Sequence, residues 1–211
     1  MTKSLLKTIT CLLLAVSISG CVVGAAVGAL GGVAISAVSA VGGVLAERAF
    51  NLVDAKKVSL PTDMEHALAS VQKALRMMNF EVELLQPTKD GGYIALFGNQ
   101  KSDGSIALLQ ETDALTTFKV KVLEANHLSR REEVEEAVTN LVRNISRELP
   151  ADTRFDFNGY NNIRSAPNRT SPRIGWFRIG SKLQVSPSLT AGWLKITMPE
   201  GEKGFLKGRI E

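Results

Sequence analysis

Few side chains in this sequence could do covalent or acid–base chemistry. Two cysteines and two histidines stand among 211 residues. His66 falls on what the apolar spacing around it makes the exposed side of a helix, and His127 falls in a polar turn. Neither has a cysteine or a carboxylate pair beside it at ligand spacing, so both read as solvated histidines rather than ligands or bases. Glu132, Glu133, Glu135 and Glu136 crowd the start of a second helix. There, carboxylates complement the positive end of the helix dipole and form a solvated face. Met64, Met77 and Met78 belong to a core and its flank rather than to a metal site. No nucleophile stands beside a base, and no phosphate-cradling glycine loop occurs. The sequence therefore points away from an enzyme, with no catalytic residue, no metal and no cofactor expected. Cys21 is the exception that needs an explanation. Residues 1–20 have a basic start (Lys3, Lys7), an apolar core (residues 9–18) and small residues before a cut, the marks of a secretory leader. Cleavage between Gly20 and Cys21 would remove Cys11 and leave one thiol, so no internal disulfide can form in the exported chain. Modification of its sulfur would account for that lone cysteine.

The tetrapeptide Ile18-Ser19-Gly20-Cys21 resembles the bacterial lipobox, an apolar residue, two small residues and a cysteine. The resemblance implies a diacylglyceryl thioether on Cys21 and an acylated amine, with membrane lipid as the first partner. Each buried methylene contributes about 0.8 kcal/mol, so one acyl chain anchors marginally and several anchor stably. Val22 is not an aspartate, which in the lipoprotein class implies the outer membrane, facing the periplasm. The competing reading is an uncleaved transmembrane start with an incidental cysteine. Behind Cys21 a second apolar run, residues 22–46, carries no charge until Glu47. As a helix at about 1.5 Å per residue, it would cross a hydrocarbon core of about 30 Å. Gly24, Gly28 and Gly32 stand four apart, and Ser36 and Ala40 continue the row. Such a glycine zipper lets another helix approach closely and favours a homo-oligomer. Gly, Val and Ser form helix poorly in water, so the run is expected to be helical only with lipid or a partner. The alternative is a flexible tether on the surface.

Formal net charge is +4, or +2 without Lys3 and Lys7. Residues 51–150 hold 12 Lys and Arg against 15 Asp and Glu, whereas residues 151–211 hold 10 against 5. That change of sign supports a domain boundary near Pro150. The basic half favours an anionic partner. Its Lys and Arg are scattered singly along the chain, which argues against nucleic acid.

A short strand is predicted over residues 53–60, ending before Pro61, and Thr62-Asp63-Met64-Glu65 reads as a capping box with Thr62 as the cap. Met64, Leu68, Val71, Leu75 and Met78 then mark the buried face of a helix ending near Asn79. Strands are predicted over residues 80–86, 93–97, 105–110 and 115–124, with Gly91-Gly92 and Asp103-Gly104 as turns. Ser129 is expected to cap a last helix, buried through Val134, Val138, Leu141, Ile145 and Leu149. This order predicts an α+β domain over residues 51–150, an antiparallel sheet with two helices on one face. Together with the lipobox, the Gly/Ala run and the stretch Ala74-Leu75-Arg76-Met77-Met78-Asn79-Phe80-Glu81-Val82, it resembles the DUF3568 family of bacterial envelope lipoproteins. That resemblance brings no activity with it.

From Gly159 onward, short apolar pairs alternate with Gly, Pro, Asn and Ser, the pattern of short strands in a small barrel. Four pieces in order resemble bacterial SH3-like domains. They are Asn161-Asn162-Ile163-Arg164-Ser165-Ala166-Pro167, then Ile174-Gly175-Trp176 with residues 179–185, then Ala191-Gly192-Trp193-Leu194-Lys195-Ile196, and Gly201-Glu202-Lys203-Gly204-Phe205-Leu206. Phe205 stands where the family commonly has Trp or Tyr, and Ala166 where it often has Gly. The resemblance implies an SH3-like barrel over residues 155–211. It also implies a candidate ligand groove at Tyr160, Asn162, Arg164, Trp176 and Phe205. Trp193 reads as core, while Trp176 is open to two readings, buried or lining a peptide groove.

Two functions stay open on the sequence. In the first, a lipid-anchored, non-catalytic binding module contacts peptidoglycan peptides or an envelope protein. In the second, the zipper drives self-association of a structural envelope protein without a dedicated ligand.

Overall fold

Strand-forming alternation and two amphipathic helices build the part of the chain that the computed structural model describes: Leu52 and residues 54–125, 129–181 and 185–208. Gly20, Cys21, Gly24, Gly28, Gly32, Ser36 and His127 lie outside the described residues. The elements run β1 (Val58–Leu60), α1 (Met64–Met77), β2 (Glu81–Pro87), β3 (Tyr93–Gly98), β4 (Ser102–Thr112) and β5 (Leu115–Glu124). They continue with α2 (Glu132–Glu148), β6 (Tyr160–Arg164), β7 (Arg173–Arg178), β8 (Ser186–Pro187), β9 (Trp193–Thr197) and β10 (Lys203–Lys207).

All ten strands belong to one sheet, in the order β1-β5-β4-β3-β2-β7-β6-β10-β9-β8. The expected succession of an α+β domain and a closed SH3-like barrel is thereby corrected. A barrel of β6–β10 would need the free edge of β7. That edge is taken by β2, with Leu84 opposite Phe177 and Leu85 opposite Trp176. The C-terminal strands therefore extend the sheet instead of closing on themselves. The two ends of the sheet are a three-residue strand and a two-residue strand containing Pro187, both poor templates for further pairing.

Two cores follow from the two faces of β2 and β3. On one face, α1 and α2 pack over Val82, Leu85, Ala95, Phe97, Ile106, Phe118 and Val122. A bulge between Val82 and Leu84 shifts the alternation by one, turning Leu84 away from the helices. Leu84 and Leu96 instead meet Ile163, Ile196, Met198 and Leu206 in the second core. Beside it, Gln86 Nε2 donates to Glu202 Oε1 at 2.8 Å, tying the β9–β10 turn to β2. The sheet thus bends so that β6, β9 and β10 cover the outer face of β2 and β3.

Several local readings also change. The cap of α1 is Asp63, not Thr62, and its carboxylate accepts from His66 N at 2.8 Å. The helix ends as expected, with Asn79 in the left-handed region (φ 57) and Phe80 N donating to Leu75 O at 2.9 Å. Arg131, not Ser129, stands at the N-cap of α2 and makes no side-chain capping bond. β4 starts three residues earlier than predicted, because Gly104 is a strand residue. A Cβ there would lie 2.4 Å from Phe97 Cζ and 2.7 Å from Lys121 O, so glycine serves close approach rather than a turn.

Candidate functional site

Strand alternation sorts the C-terminal residues into an inner and an outer face. Ile163, Gly204 and Leu206 are buried toward the second core. Their neighbours Asn162, Arg164, Phe205 and Lys207 are exposed or half-exposed on the other side. Cross-strand register then assembles the outer surface. Asn162 stands opposite Trp176, and Arg164 opposite Arg173. Phe205 lies between Arg164 and Lys195, Lys203 faces Thr197, and Lys207 faces Trp193. Tyr160, Asn162, Arg164, Trp176 and Phe205, the groove residues expected from sequence, therefore share one face.

Its two ends differ. Toward β2, Tyr160 and Trp176 are half-buried against the helix-side core. The Tyr160 hydroxyl donates to Val82 O at 2.7 Å, and burial pushes its phenol pKa up. The Trp176 ring lies 4.7 Å from that of Phe157, and the Arg173 guanidinium sits 4.5 Å from its centroid. Arg178 Nη1 lies 2.8 Å from Glu81 Oε2. These groups are engaged in packing and pairing. Arg164 is also spoken for, since Nη1 donates to Ser171 O at 2.6 Å and closes the loop that Asn168 braces. Toward β9 and β10 the surface opens. Lys195, Lys203 and Lys207 are exposed around Phe205 and Trp193, and Lys203 Nζ donates to Thr197 Oγ1 at 3.0 Å.

Charge on this surface is one-sided. Residues 157–199 contain six Lys and Arg and no Asp or Glu. Glu200 and Glu202 follow in the β9–β10 turn, and Glu202 is bonded to Gln86 on the inner side. Cations that looked scattered along the chain are neighbours across strands. Such a surface can attract and hold an anionic ligand, with aromatic rings for apolar or cation–π contact. Among its described residues no acid–base pair stands.

An open groove of about 660 Å³ lies elsewhere, floored by Ile94, Ala107 and Leu109. Its charged rim is mostly satisfied from within. Lys57 Nζ lies 2.5 Å from Glu111 Oε1, Lys119 reaches Leu52 O, and Thr88 donates to Asp90. Hydrogen bonds from Lys57 and Thr117 hold the Glu111 carboxyl below its ordinary pKa, and the Thr88 hydroxyl does the same for Asp90.

Two polar residues read as solvated are buried instead. His66 is 4 % exposed and its Nε2 lies 3.1 Å from Ser146 O, between the helices. Glu135 is the inward member of its acidic quartet, bonded to Arg130 Nε and Nη2 and to Val122 N. The small residues Ala67 and Ser70 beside His66 were the available signal, since they widen the buried face of α1. Met64 is buried, Met78 half-buried and Met77 exposed. Among the described residues, no three His, Cys, Asp or Glu side chains converge, and no helix is long and apolar enough to cross a membrane. No family model matches the chain, and no curated protein matches it.

Proposed function

We propose that this chain is a non-catalytic binding protein of the bacterial envelope, lipid-anchored at Cys21, that recognises an anionic component through the outer face of β6, β7, β9 and β10. Cell-wall peptides with free carboxylates, or an acidic surface of an envelope protein, are the partners this reading takes. One observation carries it: exposed Lys195, Lys203 and Lys207 surround Phe205 and Trp193, and β6, β7, β9 and β10 themselves contain no Asp or Glu. Lysines spread across adjacent strands suit a ligand with repeated charges better than a single compact anion. The anchor rests on the residues around Cys21, and it would hold such a face beside the membrane.

The test is retention of the purified full-length chain by isolated cell-wall sacculi and by immobilised acidic envelope proteins. Lys195→Glu, Lys203→Glu and Lys207→Glu together should sharply reduce retention, and added salt should do the same to the wild type. All three positions are exposed, so the fold should survive. Retention indifferent to charge reversal and to salt would reject this face as the binding surface.

A further inference from the structure

Large apolar side chains are exposed at few of the described positions, and three of them share one end of the C-terminal strands. Phe157 is 39 % exposed, Ile179 64 %, and Leu189 fully exposed. Phe157 precedes β6, Ile179 follows β7, and Leu189 lies in the turn between β8 and β9. Register brings these loops level. Tyr160 pairs with Arg178 and Trp193 with Lys207, while β10 runs antiparallel to β6. Two backbone bonds link the loops directly, Ile179 N to Gly159 O at 2.9 Å and Gly208 N to Gly192 O at 3.0 Å. The opposite end of β9 and β10 instead carries Glu200 and Glu202 in its turn.

Ile179 and Leu189 project from separate loops, whereas the Phe157 ring rests on Trp176 at 4.7 Å and stays partly exposed beside them. Cations stand just behind them. Lys207 ends β10, and Lys195 lies two residues in from Trp193, which is half-buried at the same level. Among the described residues, the nearby carboxylates Glu81 and Asp156 are engaged by Arg178 and Arg76. Apolar tips ahead of exposed lysines, with a tryptophan between, complement a bilayer whose headgroups are anionic. We propose that this end of the strands docks on an anionic lipid surface. Phe157, Ile179 and Leu189 enter the boundary between headgroups and acyl chains, and Lys195 and Lys207 meet lipid phosphates. This second membrane contact goes beyond the anchor and does not depend on which component the β9–β10 face recognises.

The experiment places a polarity-sensitive thiol dye at Leu189→Cys or Ile179→Cys in the full chain, with Cys11→Ser and Cys21→Ser removing the other thiols. Ser165→Cys, exposed in the loop at the opposite strand end, is the control. On vesicles of phosphatidylcholine with phosphatidylglycerol, the dye at 189 and 179 should shift to shorter wavelength and be quenched by lipid-borne nitroxide. The dye at 165 should do neither. High salt or omission of phosphatidylglycerol should abolish the shift, because screening shortens the reach of the lysines. Dyes at 189 and 179 that stay in water on these vesicles would overturn the proposal, as would equal immersion of the dye at 165. Shielding of the tips by sacculi or an envelope protein, with vesicles inert, would overturn it in favour of those partners. Tip immersion that survives charge reversal of Lys203 while sacculus retention fails would separate this contact from the binding reading.

Discussion

Glu135 shows how one carboxylate can hold two elements together. It is 7 % exposed, accepts from Val122 N at 3.0 Å, and takes a two-pronged contact from Arg130 at 2.8 and 2.7 Å. The start of α2 is thereby fastened to β5. Glu135→Ala would leave a buried backbone N–H and a partly buried guanidinium without their acceptor, and should destabilise the fold by about 2–3 kcal/mol. Urea unfolding reads this, and Glu132→Ala, on a well-exposed side chain, should stay within about 0.5 kcal/mol. Glu111 makes a pH prediction. Its folded-state pKa is depressed, first by the bond from Lys57 and then by that from Thr117. A depressed carboxylate contributes stability above its unfolded value, about 4.3, and loses it as pH falls through the lower folded value. Lys57→Met should therefore flatten the acid limb of the stability profile while leaving the neutral-pH shape unchanged. A denaturant midpoint followed from pH 7 to pH 3 checks it.

Among the elements, the decisive contact is the seam between β2 and β7. Gly175 sits on it, where a Cβ would lie 2.8 Å from Leu85 O and 3.0 Å from Met198 Cε. A methionine tip can move, but the Leu85 carbonyl is part of the β2 backbone. Gly175→Ala should therefore open the seam at a cost of about 1–3 kcal/mol. Hydrogen exchange should show β6 and β7 amides losing protection while β4 and β5 keep theirs. Uniform loss everywhere would mean that the seam is not a separable weak point. The helices and β2, β3 and β5 were legible because each carries its own period and its own stop, such as Asn79 after α1. The start of β4 was not, because Gly104 looks alike in a turn and under the ring of Phe97. The cap of α1 slipped by one residue because Thr62 and Asp63 are both good caps, and the choice between them follows from local geometry.

For the whole molecule, the proposed acyl anchor at Cys21, the basic face and the apolar strand end would be three separable handles on location. Cys21→Ala should abolish metabolic labelling by a clickable fatty acid and move the chain from the membrane fraction toward the soluble one. Persistent labelling would reject the lipoprotein reading. If Cys21 carries several acyl chains as proposed, the same fractionation with Leu189→Asp and Ile179→Asp should leave the chain anchored, since those chains would outweigh any contribution of the tips.

The residue order alone determined most helices and strands, and with them which side chains fall on the same side of each strand. These are local properties, set by periods of 3.6 and 2.0 residues and by the stops between them. The expectation at Cys21 is of the same local kind, a short pattern read in place. Tertiary structure decided that the C-terminal strands join the sheet instead of closing a barrel, because edge pairing between β2 and β7 is a contest between distant segments. It also decided that His66 and Glu135 are buried, and that Lys195 of β9 stands opposite Phe205, between Lys203 and Lys207 of β10. Neighbours across strands are set by register, and register is fixed only once the whole sheet has formed.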